Sequence, residues 1–145
     1  MSMVWRFQAF DALTVAELYA VLRLRSEVFV VEQNCVFLDM DNSDAQAMHV
    51  LGHAPEGAGE LVAYARCFGP GVKYAEASIG RVVTAPSARG SGVGHVLMRE
   101  AVRALHGLSC SRRFYRSDSA PCNKKGADSF QADHGKEDRL LQGWH

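Results

Sequence analysis

The sequence predicts an α/β (α+β) fold in which a mixed, largely antiparallel sheet is flanked by helices. Three observations carry this. The element order reads strand, helix, an irregular stretch, three strands, a glycine loop and a second helix, so antiparallel strands precede a strand–loop–helix unit. The loop, "ARGSGVGHVLM" from Ala88 to Met98, leads from the strand-like "ASIGRVVT" into an apolar, helix-forming run. Finally, 145 residues that are 48% hydrophobic and 22% charged suit one ordinary core.

Trp5 to Phe10 reads as the first strand. In "TVAE", Thr14 can cap a helix and Glu17 can return the bond as a capping box. Leu18, Leu22, Arg25 and Phe29 then fall on one face, which predicts a helix from Val15 to Val31. The stretch from Gln33 to Ala47 is less regular. Its Asp39, Asp41 and Asp44 suggest a calcium loop, but the glycine and closing glutamate of such a loop are missing. A solvated turn or helix start is therefore expected there, with no metal.

Two strands follow, Met48 to Gly52 and Leu61 to Phe68, joined across "APEGAGE". Glu76 to Thr84 is the next strand. Val93, Val96, Leu97, Ala101 and Leu105 form the stripe of a second helix, which Gly107 can end.

Beyond Leu108 the composition changes. Residues 109–145 contain no Val, Ile or Met, whereas the first 108 residues contain 15 valines. Residues 1–108 are accordingly expected to form the folded core and 109–145 an atypical, partly disordered segment. A short strand near Arg113 to Arg116 and a short helix near Lys136 to Gln142 are the only elements expected in it. The abrupt shift fits a disrupted reading frame or a truncated gene.

Formal net charge is zero, which gives no electrostatic reason to expect nucleic acid or an anionic membrane as partner. The N-terminus shows no apolar leader and the longest dense apolar run is "VFVV", so a cytoplasmic protein is expected. Cys35, Cys67, Cys110 and Cys122 are scattered without a C-x-x-C pair and are expected to be reduced.

The chemistry concentrates in the glycine loop. A strand that passes through Gly90, Gly92 and Gly94 into a helix aims backbone N–H groups and the positive end of the helix dipole at one spot. That arrangement suits a phosphate or diphosphate, and Arg89 can add a charge-assisted contact. A nucleotide P-loop would need Lys and Ser/Thr after its last glycine, where His95 stands. A dinucleotide turn would need G-x-G-x-x-G after the first strand, whereas this loop reads G-x-G-x-G and comes late.

"IGRVVTAPSARGSGVGHVLM" resembles the central motif of the GNAT acyltransferases, a strand followed by R/Q-x-x-G-x-G/A, matched by Arg89, Gly92 and Gly94. The upstream "LYAVLRLRSEVFVVEQNCVFLDMD" is similar to the ElaA-like subfamily, and the two blocks together cover Trp5 to Leu105. The resemblance implies acetyl-coenzyme A as cosubstrate. Val82, Val83 and Thr84 would hold the pantetheine arm through their backbone, and Arg89, Gly90, Ser91, Gly92, Val93 and Gly94 would wrap the diphosphate. A small-molecule or peptide amine would then attack the thioester directly, with no metal and no covalent enzyme intermediate.

The acceptor must lose a proton. Glu32 and His49 are the candidates for that role, with a surface or buried ion pair to an arginine such as Arg25 or Arg81 and a packed core histidine as the respective structural alternatives. Tyr64 and Arg66 share a face of their strand. The A-Q-A-H-L-Q-x-x-Y type of segment found in such proteins is not present after Leu108, so no catalytic tyrosine is assigned to Tyr115. A chain that binds coenzyme A or a protein partner without turnover is the alternative function. A homodimer is compatible with either.

Overall fold

The structure is a computed structural model that describes residues 2–55, 59–108, 114–117 and 130–133. Six strands form one sheet in the order β1 (Val4–Ala9), β2 (Met48–His53), β3 (Leu61–Phe68), β4 (Ala77–Thr84), β5 (Phe114–Ser117) and β6 (Phe130–Asp133). Neighbours are antiparallel except β4 and β5, which run parallel. Helix α1 (Val15–Arg25) lies between β1 and β2 in sequence, and helix α2 (Val93–Leu108) follows β4.

Each helix covers one face of the sheet, as the alternation of side chains along a strand requires. Ala63, Ala65 and Cys67 of β3 pack with Val93, Leu97, Met98, Ala101 and Leu105 of α2. Val62 and Tyr64 pack with Val21, Leu24, Val28 and Phe29 on the α1 side. The buried face of the first helix is thus led by Val21, Leu24 and Val28, and Leu18 and Leu22 of the expected stripe are only half-buried. "LYAVLRLR" offers apolar residues all round, so its spacing does not single out one face.

The capping box forms as its spacing predicts. Glu17 N–H donates to Thr14 Oγ1 (3.1 Å), and Thr14 N–H donates to Glu17 Oε2 (2.9 Å). Past Arg25 the helix widens into a π-helical stretch, Ser26–Glu32, closed by Gln33 N–H to the Val28 carbonyl (3.1 Å) and Cys35 N–H to the Val30 carbonyl (3.1 Å). Helix α2 continues through Gly107 to Leu108, so that glycine does not end it.

One irregularity matters for the site. Tyr64 pairs with Val83 and Arg66 with Gly80, so β4 carries one residue more than β3 across the gap. The bulge reverses which residues face α2: Ala77 and Ile79 do before it, Val82 after it. Arg81 takes up the extra residue with a left-handed φ of 51°, an uncommon conformation for a side chain other than glycine.

Strand β5 stands where the sequence places a short strand. The short helix expected near residues 136–142 lies outside the described residues. Cys35 is disulfide-bonded, which corrects the expectation of four reduced thiols, whereas Cys67 is free and buried. Burial alone pushes the Cys67 thiol up to about 12, so it stays protonated and unreactive. No helix among the described residues is long and apolar enough to cross a membrane.

Candidate functional site

At the end of β4 the chain leaves the sheet through a short 3-10 turn, Pro86–Ala88, and enters the glycine loop. Gly90 and Gly92 both adopt φ of 81°, a left-handed conformation that side chains resist, and a Cβ at either position would meet open space. Glycine is therefore needed here for backbone shape and for an unscreened surface, not for packing.

The first helical bond of α2 runs from Val96 N–H to the Gly92 carbonyl (3.3 Å), so the amides of Val93 and Gly94 stand ahead of it at the helix start. Among the described residues, none accepts a bond from the amides of Gly90, Ser91 or Gly92. Ser91 Oγ donates instead to the Ala88 carbonyl (2.6 Å), which ties the loop back on itself.

A cavity of about 140 Å³ opens at this point, lined by Thr84, Ala88, Arg89, Gly90, Gly92, Val93 and Gly94. It gathers most of the residues that the sequence assigns to a diphosphate. Val82 and Val83 lie next to it, buried in β4. Strand β5 pairs only with Ala77–Ile79 among the described residues, so the outer backbone edge of Gly80–Thr84 has no described strand beside it. The strand edge leads directly to the loop.

Glu32 closes the far side of the loop. Its carboxylate takes both ends of the Arg89 guanidinium, Nη1 to Oε1 at 2.6 Å and Nη2 to Oε2 at 3.1 Å. Each side chain remains 42% exposed. Of the two expectations for Glu32, the ion pair with an arginine is the one that forms. Its arginine is Arg89, not Arg25 or Arg81, which places it at the glycine loop.

His49 likewise takes its structural alternative, a packed core histidine. It is fully buried and uses both ring nitrogens: Nε2 donates to the Asp44 carbonyl (2.9 Å) and Nδ1 accepts from the Tyr64 hydroxyl (2.7 Å). Burial lowers its pKa, with nearby Arg25 and Arg66 adding to the effect, so the ring is neutral. A neutral ring with both nitrogens engaged holds β2 to β3 and the preceding turn; it has no lone pair to offer a substrate.

The sequence reading missed a charged network beneath these residues. Asp44 starts a 3-10 turn, Asp44–Gln46, as the helix-start alternative expects, but the three aspartates pair with arginines and are not left to solvent. Fully buried Arg25 meets Asp44 through Nη1 (2.8 Å) and Asp39 through Nε (2.9 Å). Fully buried Arg66 grips Asp41 through both Nη atoms (2.8 and 3.0 Å) and also reaches Asp44 (3.1 Å). Arg81, turned inward by the bulge, donates through Nε to Asp39 (2.9 Å), and Lys73 meets Asp41 at 3.2 Å.

Burial works against the charges on Asp41 and Asp44, but Arg66 with Lys73, and Arg25 with Arg66, outweigh it. Both carboxyls are held below the usual carboxylate range. A partial signal was present in the sequence: Arg25, Arg66 and Arg81 each occupy an apolar-patterned position, though nothing in the pattern says which carboxylates receive them.

Comparison with known proteins gives the family. The acetyltransferase (GNAT) family model matches residues 16–135. An acyl-CoA N-acyltransferase from Pseudomonas aeruginosa superimposes with a TM-score of 0.72 at 37% identity, over 81% of this chain and 80% of that one. Escherichia coli ElaA superimposes with a TM-score of 0.72 at 34% identity, over 80% and 77%. In sequence, a UPF0039 protein of Synechocystis is 39% identical over 71% of this chain and 66% of its own length. The aligned part of E. coli ElaA is 40% identical over 68% of this chain, and the chain spans 63% of that relative's length. The strand–loop–helix unit thus belongs to a chain of the acetyltransferase (GNAT) family, with ElaA among its relatives.

Proposed function

We propose that the protein is an N-acyltransferase that moves an acetyl group from acetyl-coenzyme A to an amine. The observation that carries this reading is that the edge of Gly80–Thr84, which has no described strand beside it, runs to the glycine-loop cavity. The loop amides and the start of α2 take the diphosphate, and the backbone of Val82, Val83 and Thr84 takes the pantetheine arm.

The thioester then lies along the β4 edge, away from the loop. The acceptor nitrogen attacks the thioester carbon, the C–N bond forms, the C–S bond breaks, and the thiol leaves with a proton. Backbone N–H groups displaced from the ladder by the bulge at Arg81 can face the developing oxyanion, and no protein nucleophile is required. The acceptor is a small-molecule or peptide amine, and the cytoplasm is the compartment that suits an acetyl-coenzyme A consumer. Family membership and a 37%-identical acyl-CoA N-acyltransferase neighbour support the reading.

Calorimetry with acetyl-coenzyme A tests it, comparing the chain with Gly92→Glu. The carboxylate is placed where the diphosphate belongs, and binding should fall by more than an order of magnitude while circular dichroism shows the sheet intact. Equal binding by both proteins would sink the assignment of this loop.

A further inference from the structure

The Glu32–Arg89 pair joins the end of the π-helical stretch to the glycine loop, residues 57 positions apart in the chain. A bidentate carboxylate presents to a guanidinium two oxygens in one plane, the same arrangement that a phosphate offers. Arg89 lines the loop cavity, and its remaining contact is a long one, Nη2 to the Thr84 carbonyl at 3.5 Å. The one cation of the loop is therefore already satisfied by an internal anion before any ligand arrives. Both side chains lie at the surface, so neither is held in the pair by burial.

We propose that Glu32 is an internal stand-in for the ligand's phosphate: it occupies Arg89 in the free protein and is exchanged for the coenzyme diphosphate on binding. This inference rests on the reading of the loop as the coenzyme site. Each binding event breaks the Glu32–Arg89 pair and leaves a carboxylate beside the incoming diphosphate. Glu32 thereby weakens binding, and it discriminates against ligands that offer Arg89 less charge than the carboxylate it must displace. The opposite role, in which Glu32 merely orients Arg89 toward the phosphate, predicts the opposite sign.

Three variants separate the cases when titrated with coenzyme A by calorimetry: Glu32→Gln, Arg89→Ala and the double substitution. Exchange predicts that Glu32→Gln binds about two- to fivefold more tightly than the unaltered chain, the range expected for an exposed bidentate pair. Arg89→Ala should bind more weakly. Adding Glu32→Gln to Arg89→Ala should recover less than the gain seen in the unaltered background, because the competing pair is already gone. The tightening should also shrink as salt is raised from 50 to 500 mM, roughly as the Debye length shortens.

Weaker or unchanged binding by Glu32→Gln, with coenzyme A still bound by the unaltered chain, overturns the exchange and leaves the site assignment standing. Coenzyme A binding by none of the four proteins, all folded by circular dichroism, overturns the site assignment and the exchange with it.

Discussion

The acidic turn and the glycine loop both bring arginine to carboxylate, yet they end in opposite states. Under the turn, Arg25 and Arg66 are fully buried, and Asp39, Asp41 and Asp44 answer them through several bonds of 2.8–3.1 Å. At the loop, a single pair stands half in water, and backbone amides around it have no described acceptor. The difference teaches how charge is divided between scaffold and site. A buried network whose charges are each met by an opposite charge fixes shape, whereas loop amides with no described acceptor are donors left to give.

The largest way to break this contrast is to remove a buried arginine. Arg66→Ala leaves Asp41 and Asp44 short of a counter-charge in a partly dry site, a change expected to cost roughly 3–5 kcal/mol. Urea unfolding measures it; a loss below about 1 kcal/mol would mean water enters the network freely and the scaffold reading fails.

Arg81 sharpens the same point, because its ion pair and its left-handed backbone can be separated. Arg81→Ala loses the Asp39 contact and keeps the strain, while Arg81→Gly loses the contact and relieves it. The glycine variant should be the more stable by about 1 kcal/mol. If alanine is the better tolerated, the bulge does not impose that backbone conformation.

Much of this was legible in the sequence, for reasons that differ between regions. The capping box at Thr14 and Glu17 and the bounds of β1 to β4, each within a residue of expectation, are local signals set by neighbours a few residues away, whereas strand β6 (Phe130–Asp133) was not expected at all. Long-range charge pairing is different. Glu32 and Arg89 lie 57 residues apart, and Arg81 meets Asp39 across 42, so no periodicity announces either pair. His49 shows the same limit. A histidine that opens a strand looks chemically free until Tyr64 and the Asp44 carbonyl are seen to claim both nitrogens. The bulge in β4 was invisible because "IGRVV" satisfies an ordinary strand pattern.

The turn should also reveal itself through pH. His49 has a lowered pKa in the folded state, so below its ordinary value of 6.5 the unfolded chain binds protons that the folded one refuses. Stability is thus full above that pH and falls as pH drops through it, by at most about 1.4 kcal/mol per pH unit for one group. His53, whose pKa burial also lowers, adds to the same limb. Asp41 and Asp44 contribute a second, more acidic loss that begins near 3.8, where the unfolded carboxylates start to protonate while the folded ones stay charged. Melting temperatures between pH 8 and 3 should show both limbs, and His49→Gln should flatten the upper one. A melting temperature that rises on going from pH 7 to 5 would contradict a neutral, buried His49.

The smallest effect is the most telling for the comparison. Arg89→Ala removes an ion pair that is 42% exposed on both sides and should change unfolding stability by less than about 1 kcal/mol. Raising salt should erase even that difference, since exposed charges are screened within roughly 8 Å at physiological ionic strength. The same substitution is expected to weaken coenzyme binding. A residue whose loss costs affinity but hardly any stability belongs to the site; one whose loss costs stability first belongs to the scaffold. Should Arg89→Ala unfold the protein as readily as Arg81→Ala, the loop pair would be a second clamp of the kind found under the turn, and the division between the two regions would not hold.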